Sequence, residues 1–178
     1  LHALEPFIRG QADHLLGQRL RIAAGIDRGR TVAIQGRAGE TTAGLRGRLD
    51  DVVRAHPKVD AVAVMSGTND ILAGDDSFLH QYRSVALRLR RAYPGASILL
   101  HAVLPLSPDW VSPEAIAEIN SAIARIGAEV GVGVLDLTDR FTRRDGQPRG
   151  ELYDPDGVHL SGKGYRLWAD ALIEILGE

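Results

Sequence analysis

Short apolar runs alternate with longer amphipathic segments along this chain, and that alternation constrains the fold more than any other feature. Thr31–Gln35, Val59–Met65, Ser97–Val103 and Val132–Leu137 are each apolar on consecutive residues and are followed by turn residues. That is the pattern of parallel strands covered on both faces. Between them, roughly Glu5–Ala24 brings Leu15, Leu16, Leu20 and Ile22 to near-helical spacing. Thr42–Ala55 carries Leu45, Leu49, Val52 and Val53 on one stripe, and Ser77–Tyr93 carries Leu79, Tyr82, Val85, Ala86 and Leu89. Ser112-Pro113-Glu114 supplies a cap, a first-position proline and a first-turn acid to a helix running to about Val130. The last helix runs from Gly162 to about Leu176. These stripes read as core faces. The spacing predicts one α/β domain over residues 1–178, with helices on both faces of a parallel sheet.

Composition narrows the function classes. Hydrophobic residues make up 44% of the 178 and charged residues 25%, as in an ordinary globular chain. No apolar run approaches the ~18 residues that a membrane helix needs. The formal net charge of −2 gives no electrostatic footprint for nucleic acid, although nearly all of the 21 basic residues are arginines. Cysteine is absent, which excludes disulfides, thiolate metal sites and a cysteine nucleophile. His2, His14, His56, His80 and His101 show no paired metal-ligand spacing, so no metal is expected.

Three segments could carry chemistry. Gly67-Thr68-Asn69-Asp70 follows the strand Val59–Met65, at the carboxyl edge where open α/β sheets build their sites. The Asn69 amide there could donate to an oxyanion, or the segment could be a plain turn. Gln35-Gly36-Arg37-Ala38-Gly39-Glu40-Thr41-Thr42 leads from a strand into a helix capped by Thr41 or Thr42. It is either a turn or an anion-binding loop, and it lacks the third glycine of a dinucleotide site. Asp154-Pro155-Asp156-Gly157-Val158-His159-Leu160 precedes the final helix. A turn there can bring the Asp156 carboxylate to His159 Nδ1, fixing the tautomer and freeing Nε2 as a general base. A helix-capping Asp beside an incidental His is the alternative. Leu104–Trp110 is expected to wall the pocket from one side, and Trp168 to pack in the core.

Together these segments resemble the serine hydrolases of the SGNH (GDSL-type) family. The residues that carry the resemblance are Ala38-Gly39-Glu40-Thr41, Gly67-Thr68-Asn69-Asp70 and Asp156-Gly157-Val158-His159, in that order, with His159-Leu160-Ser161 leading to Gly164-Tyr165. The resemblance implies a three-layer α/β/α flavodoxin-like sandwich with strand order 2-1-3-4-5. It implies a Gly39 backbone N–H and the Asn69 side-chain amide as oxyanion-hole donors, His159 as general base and Asp156 as its orienting partner. It also implies ester hydrolysis of a small acyl, lipid or acetylated-carbohydrate substrate through an acyl-enzyme, with no cofactor. An acyltransferase and a catalytically inactive binding module of the same fold are the alternatives.

The family's nucleophilic serine lies in Gly-Asp-Ser-Leu at the end of a central first strand. No serine of this chain follows Gly-Asp, and Ser66, just before Gly67, is the only placed substitute. The four readable strands fit the second to fifth. Without the first, the gap would span about two strand spacings of ~4.8 Å each. Its edges would bury unpaired backbone groups at roughly 1–3 kcal/mol each. The expectation is therefore that a first strand and its serine lie upstream of Leu1.

Overall fold

The computed structural model describes residues 35–108 and 110–176. The helix expected over Glu5–Ala24 and the strand expected over Thr31–Gln35 lie outside the described residues, apart from Gln35, which is exposed coil. Residues 41–149 form one compact unit; residues 35–40 and 150–176 belong to a second.

In the first unit, three parallel strands lie in chain order: β1 (Ala61–Val64), β2 (Ser97–His101) and β3 (Gly133–Leu135). Ala61 pairs with Ser97 through to Val64 with Leu100, and Leu99 pairs with Gly133 through to His101 with Leu135. The order matches the third to fifth strands of the expected sheet. Each strand is shorter than its apolar run. Beyond β2 the cause is visible. Both backbone groups of Val103 are taken by the Asn120 side chain, whose Oδ1 accepts the Val103 N–H at 2.8 Å and whose Nδ2 donates to the Val103 carbonyl at 2.9 Å. A neighbouring strand has nothing left to pair with.

The helices are α1 (Thr42–Ala55), α2 (Thr68–Leu72), α3 (Phe78–Ala92), α4 (Pro113–Val130) and α5 (Thr138–Phe141). The long ones begin where their caps predict. Thr41 Oγ1 accepts the Gly44 N–H ahead of α1, and Ser112 Oγ accepts the Ala115 N–H ahead of α4. Ser77 stands at the start of α3 but does not cap it, because its hydroxyl donates to Asp75 at 2.6 Å instead. The helix α3 packs against α1, α4 and β2. Its stripe Phe78, Tyr82, Val85, Ala86 and Leu89 is buried, the spacing of one helix face. Several arginines tie the helices together at the surface. Arg83 on α3 makes a two-pronged bond to Glu129 on α4, and Arg88 reaches Asp50 on α1. These exposed pairs contribute little stability each.

At the carboxyl ends of the strands, the buried Tyr82 hydroxyl lies 2.8 Å from the Val64 carbonyl and 2.9 Å from the His101 carbonyl. Burial pushes its pKa far up, so it stays a protonated donor. It holds the ends of β1 and β2 together just before their loops depart.

In the second unit, a 3-10 turn (Gly150–Leu152) packs against α6 (Gly162–Leu176). Leu152, Tyr153, Leu160, Ala169 and Ala171 form its buried face. The approach is close enough to exclude a side chain at Gly164, where a Cβ would stand 2.1 Å from the Leu152 carbonyl oxygen.

Candidate active site

The segment Tyr153–Leu160 is a tight loop closed at its base. Tyr153 and Leu160 form an antiparallel bridge, and the Asp154 N–H donates to the His159 carbonyl at 2.7 Å. Gly157, at φ +67°, turns the chain at the tip, and its N–H donates to the Asp154 carbonyl. Ser161 anchors the exit: its N–H donates to the Leu152 carbonyl and its hydroxyl to the Glu151 carbonyl, both at 2.9 Å.

This loop brings Asp156 and His159 together. Asp156 Oδ1 accepts the backbone N–H groups of Val158 and His159, each at 2.9 Å. That leaves Oδ2 for the imidazole, 2.7 Å from His159 Nδ1. An ionised carboxylate only accepts, so Nδ1 carries the proton and Nε2 is the basic nitrogen of the neutral ring. Desolvation pushes the Asp156 carboxyl upward, but the bonds from Val158 N–H, the His159 ring and His159 N–H outweigh it and hold the pKa below the ordinary value. The imidazole is 71% exposed, so a reactant can reach it. A capping role for Asp156 is the weaker reading, since its oxygens are spent inside the loop rather than on α6.

Asn69 lies in the first unit, on α2, directly beyond β1. Gly67 starts that helical turn at φ +110°, a conformation other residues rarely adopt. A Cβ at Gly67 would also meet the Phe78 ring at 2.7 Å. The sequence pattern left Gly67–Asp70 as turn or site; it is one turn of helix, with Asn69 half-buried and Asp70 buried. Gly39 lies at φ +69° in an exposed turn closed by the Glu40 N–H on the Arg37 carbonyl at 3.3 Å. The cap between that turn and α1 is Thr41 rather than Thr42.

Ser66 is committed elsewhere. Thr42 Oγ1 donates to Asp70 Oδ2 at 3.0 Å, so the 2.8 Å contact between Ser66 and Thr42 hydroxyls makes Ser66 the donor. Leu104 and Leu106 are buried in the core, while Trp110 is 74% exposed. Trp168 is half-buried.

Three structural roles went unread in the sequence: the Asp70 carboxylate on Thr42, the Tyr82 hydroxyl between strand ends, and Asn120 on Val103. A signal existed for Asn120. It stands on the apolar stripe of Ile116 and Ile123, where an amide needs a buried partner. Among the described residues no group of His, Asp and Glu is arranged to hold a metal ion, and no helix is long and apolar enough to cross a membrane.

The family model described as the GDSL-like Lipase/Acylhydrolase family matches residues 8–167. No curated protein matches the chain. Among solved structures, a Streptococcus pneumonia protein provisionally described as a platelet activating factor is similar, with 27% identity, a TM-score of 0.77, and coverage of 88% of this chain and 77% of its own. The acetyl xylan esterase AlAXEase shares 22% identity at a TM-score of 0.69, covering 90% and 88%. An acetyl xylan esterase from Geobacillus stearothermophilus shares 19% identity at 0.73, covering 91% and 80%. The last two show the likeness of fold, an α/β domain with a parallel sheet.

Proposed function

The chain belongs to the GDSL-like lipase/acylhydrolase family, a family of ester hydrolases, and we propose that it is a serine esterase acting on a small ester through an acyl-enzyme. The observation that carries this reading is the 2.7 Å contact between Asp156 and an exposed His159 imidazole whose Nδ1 is thereby fixed as a donor. A flavin- or nucleotide-binding domain of similar sheet order has no use for that pair.

In this reading His159 Nε2 takes the proton of a serine hydroxyl as its oxygen attacks the ester carbonyl. Asp156 keeps the ring in its working tautomer and stabilises the imidazolium. The Asn69 amide and the Gly39 N–H donate to the developing oxyanion. His159 then protonates the leaving alcohol, and water, activated by the same nitrogen, hydrolyses the acyl-enzyme. Every step uses proton transfer and hydrogen bonding, so the reading calls for no cofactor.

The reading requires a serine nucleophile facing His159; no serine of the 178 residues follows Gly-Asp, so the labelling experiment has to identify it. The acetyl xylan esterases among the similar folds favour a short acyl group on a carbohydrate or other small alcohol as the substrate class. The test is covalent labelling of the natural full-length protein by a fluorophosphonate, with the adduct located by peptide mass spectrometry. A labelled serine whose labelling requires His159 supports the esterase. A protein that neither labels nor turns over p-nitrophenyl acetate is an inactive binding module. Product analysis with an added acceptor alcohol distinguishes hydrolysis from acyl transfer.

A further inference from the structure

Asp70 is 1% exposed, and nothing in the proposed chemistry uses it. An uncompensated buried carboxylate is costly, so its partners indicate its task. They all belong to the start of α1. The Thr42 N–H is shared between Oδ1 at 3.2 Å and Oδ2 at 3.0 Å, and the Thr42 hydroxyl donates to Oδ2 at 3.0 Å. Thr42 is the first residue of α1, so its N–H has no partner within the helix. The first turn of α1 contains no acidic residue of its own, and a carboxylate there is also favoured by the helix dipole. The Ser66 hydroxyl extends the chain, donating to Thr42 Oγ1 at 2.8 Å.

The short helix α2 is thus bolted at two points, through Ser66 before it and Asp70 within it, onto one residue of a long helix. Asn69 is the neighbour of Asp70 on that single turn, and successive helical residues point about 100° apart. One side chain anchors while the next is presented elsewhere. A five-residue helix has little rigidity of its own, so the direction of Asn69 depends on the anchor.

We propose that Asp70, through Thr42, is a positioning residue that sets the aim of the Asn69 amide; the role rests on Asn69 being an oxyanion donor. A misplacement on the scale of an ångström costs about 100-fold in rate.

The experiment compares Asp70→Asn, Thr42→Val, Thr42→Ser, Asn69→Ala and the Asp70→Asn/Asn69→Ala double variant in the natural full-length protein. Turnover of p-nitrophenyl acetate is expressed per active site titrated by fluorophosphonate, which removes any misfolded fraction. Asp70→Asn is expected to lower kcat about 10- to 100-fold with KM within about twofold, and Thr42→Val to follow it more weakly. Thr42→Ser keeps the hydroxyl and should restore kcat. The double variant should be no slower than Asn69→Ala alone, because an aim that no longer matters cannot be lost twice. The Asn69 side-chain amide resonance, assigned by its loss in Asn69→Ala, should shift in Thr42→Val and stay in Thr42→Ser. Should Asn69→Ala be slow while Asp70→Asn and Thr42→Val keep full kcat per site, the positioning role is overturned and the oxyanion reading stands. Full kcat in Asn69→Ala overturns both.

Discussion

His159 Nδ1 and Asp156 Oδ2 lie 2.7 Å apart, and the backbone N–H of that same histidine bonds to the other oxygen of that same carboxylate at 2.9 Å. Asp156 therefore grips His159 at both main chain and ring, which sets the ring's direction as well as its tautomer. His159→Ala is expected to abolish ester turnover and fluorophosphonate labelling. Asp156→Asn keeps the shape but loses the charge and can present the wrong tautomer; kcat should fall by about 10⁴. Wild-type turnover by the His159 variant in a p-nitrophenyl acetate assay would remove it from the mechanism.

Asn69→Ala deletes a donor that the reaction needs most in its transition state. Its kcat should drop ~10²–10³-fold with only a modest change in KM. An equal rise in KM at constant kcat would instead mark Asn69 as a substrate-binding contact.

His101 gives a prediction about stability alone. It is 2% exposed at the end of β2, and its Nδ1 donates to the Ala102 carbonyl at 2.5 Å. Burial, opposed by that bond and by Asp136, lowers its pKa from 6.5 to about 4. The unfolded chain binds this proton more readily than the folded one, so stability rises with pH across that interval. The contribution is intact above about pH 6.5 and is lost as the pH falls through about 4, on the order of 3 kcal/mol in all. Urea unfolding of His101→Gln should show a flatter pH dependence between those limits; an unchanged slope would mean that another group titrates.

Gly164→Ala tests whether the His159 loop depends on how closely α6 approaches the turn before it. A Cβ at that position meets the Leu152 carbonyl, which also accepts the Ser161 N–H. The helix has to move off, at a cost of about 1–3 kcal/mol. Thermal unfolding should detect the loss, and kcat should fall with it because Ser161 is two residues from His159.

The periodic parts of this fold were legible. The stripe Tyr82, Val85, Ala86 and Leu89, the caps at Thr41 and Ser112, and the parallel strands all follow from local patterns, because burial on one face and orphan N–H groups leave marks within a few residues. Asp156 and His159 were legible for the same reason: three residues and a glycine decide whether they meet. Bonds between distant segments left no such mark. Thr42 and Asp70 are 28 positions apart, and either could serve a local turn. The short helix at Asn69 was also hidden, since five residues do not complete a periodic pattern.

The single phenol of Tyr82 reaching two strand ends has a consequence for engineering. It fastens the sheet from beneath, on the helix side of the polypeptide, and leaves the segment between His101 and Ser112 outside that fastening. Within it Leu104, Leu106 and Val111 are core, so among the described residues only the exposed Ser107 and Trp110 are open to replacement; substitutions confined to those two should leave the strand ends and the thermal unfolding midpoint unchanged.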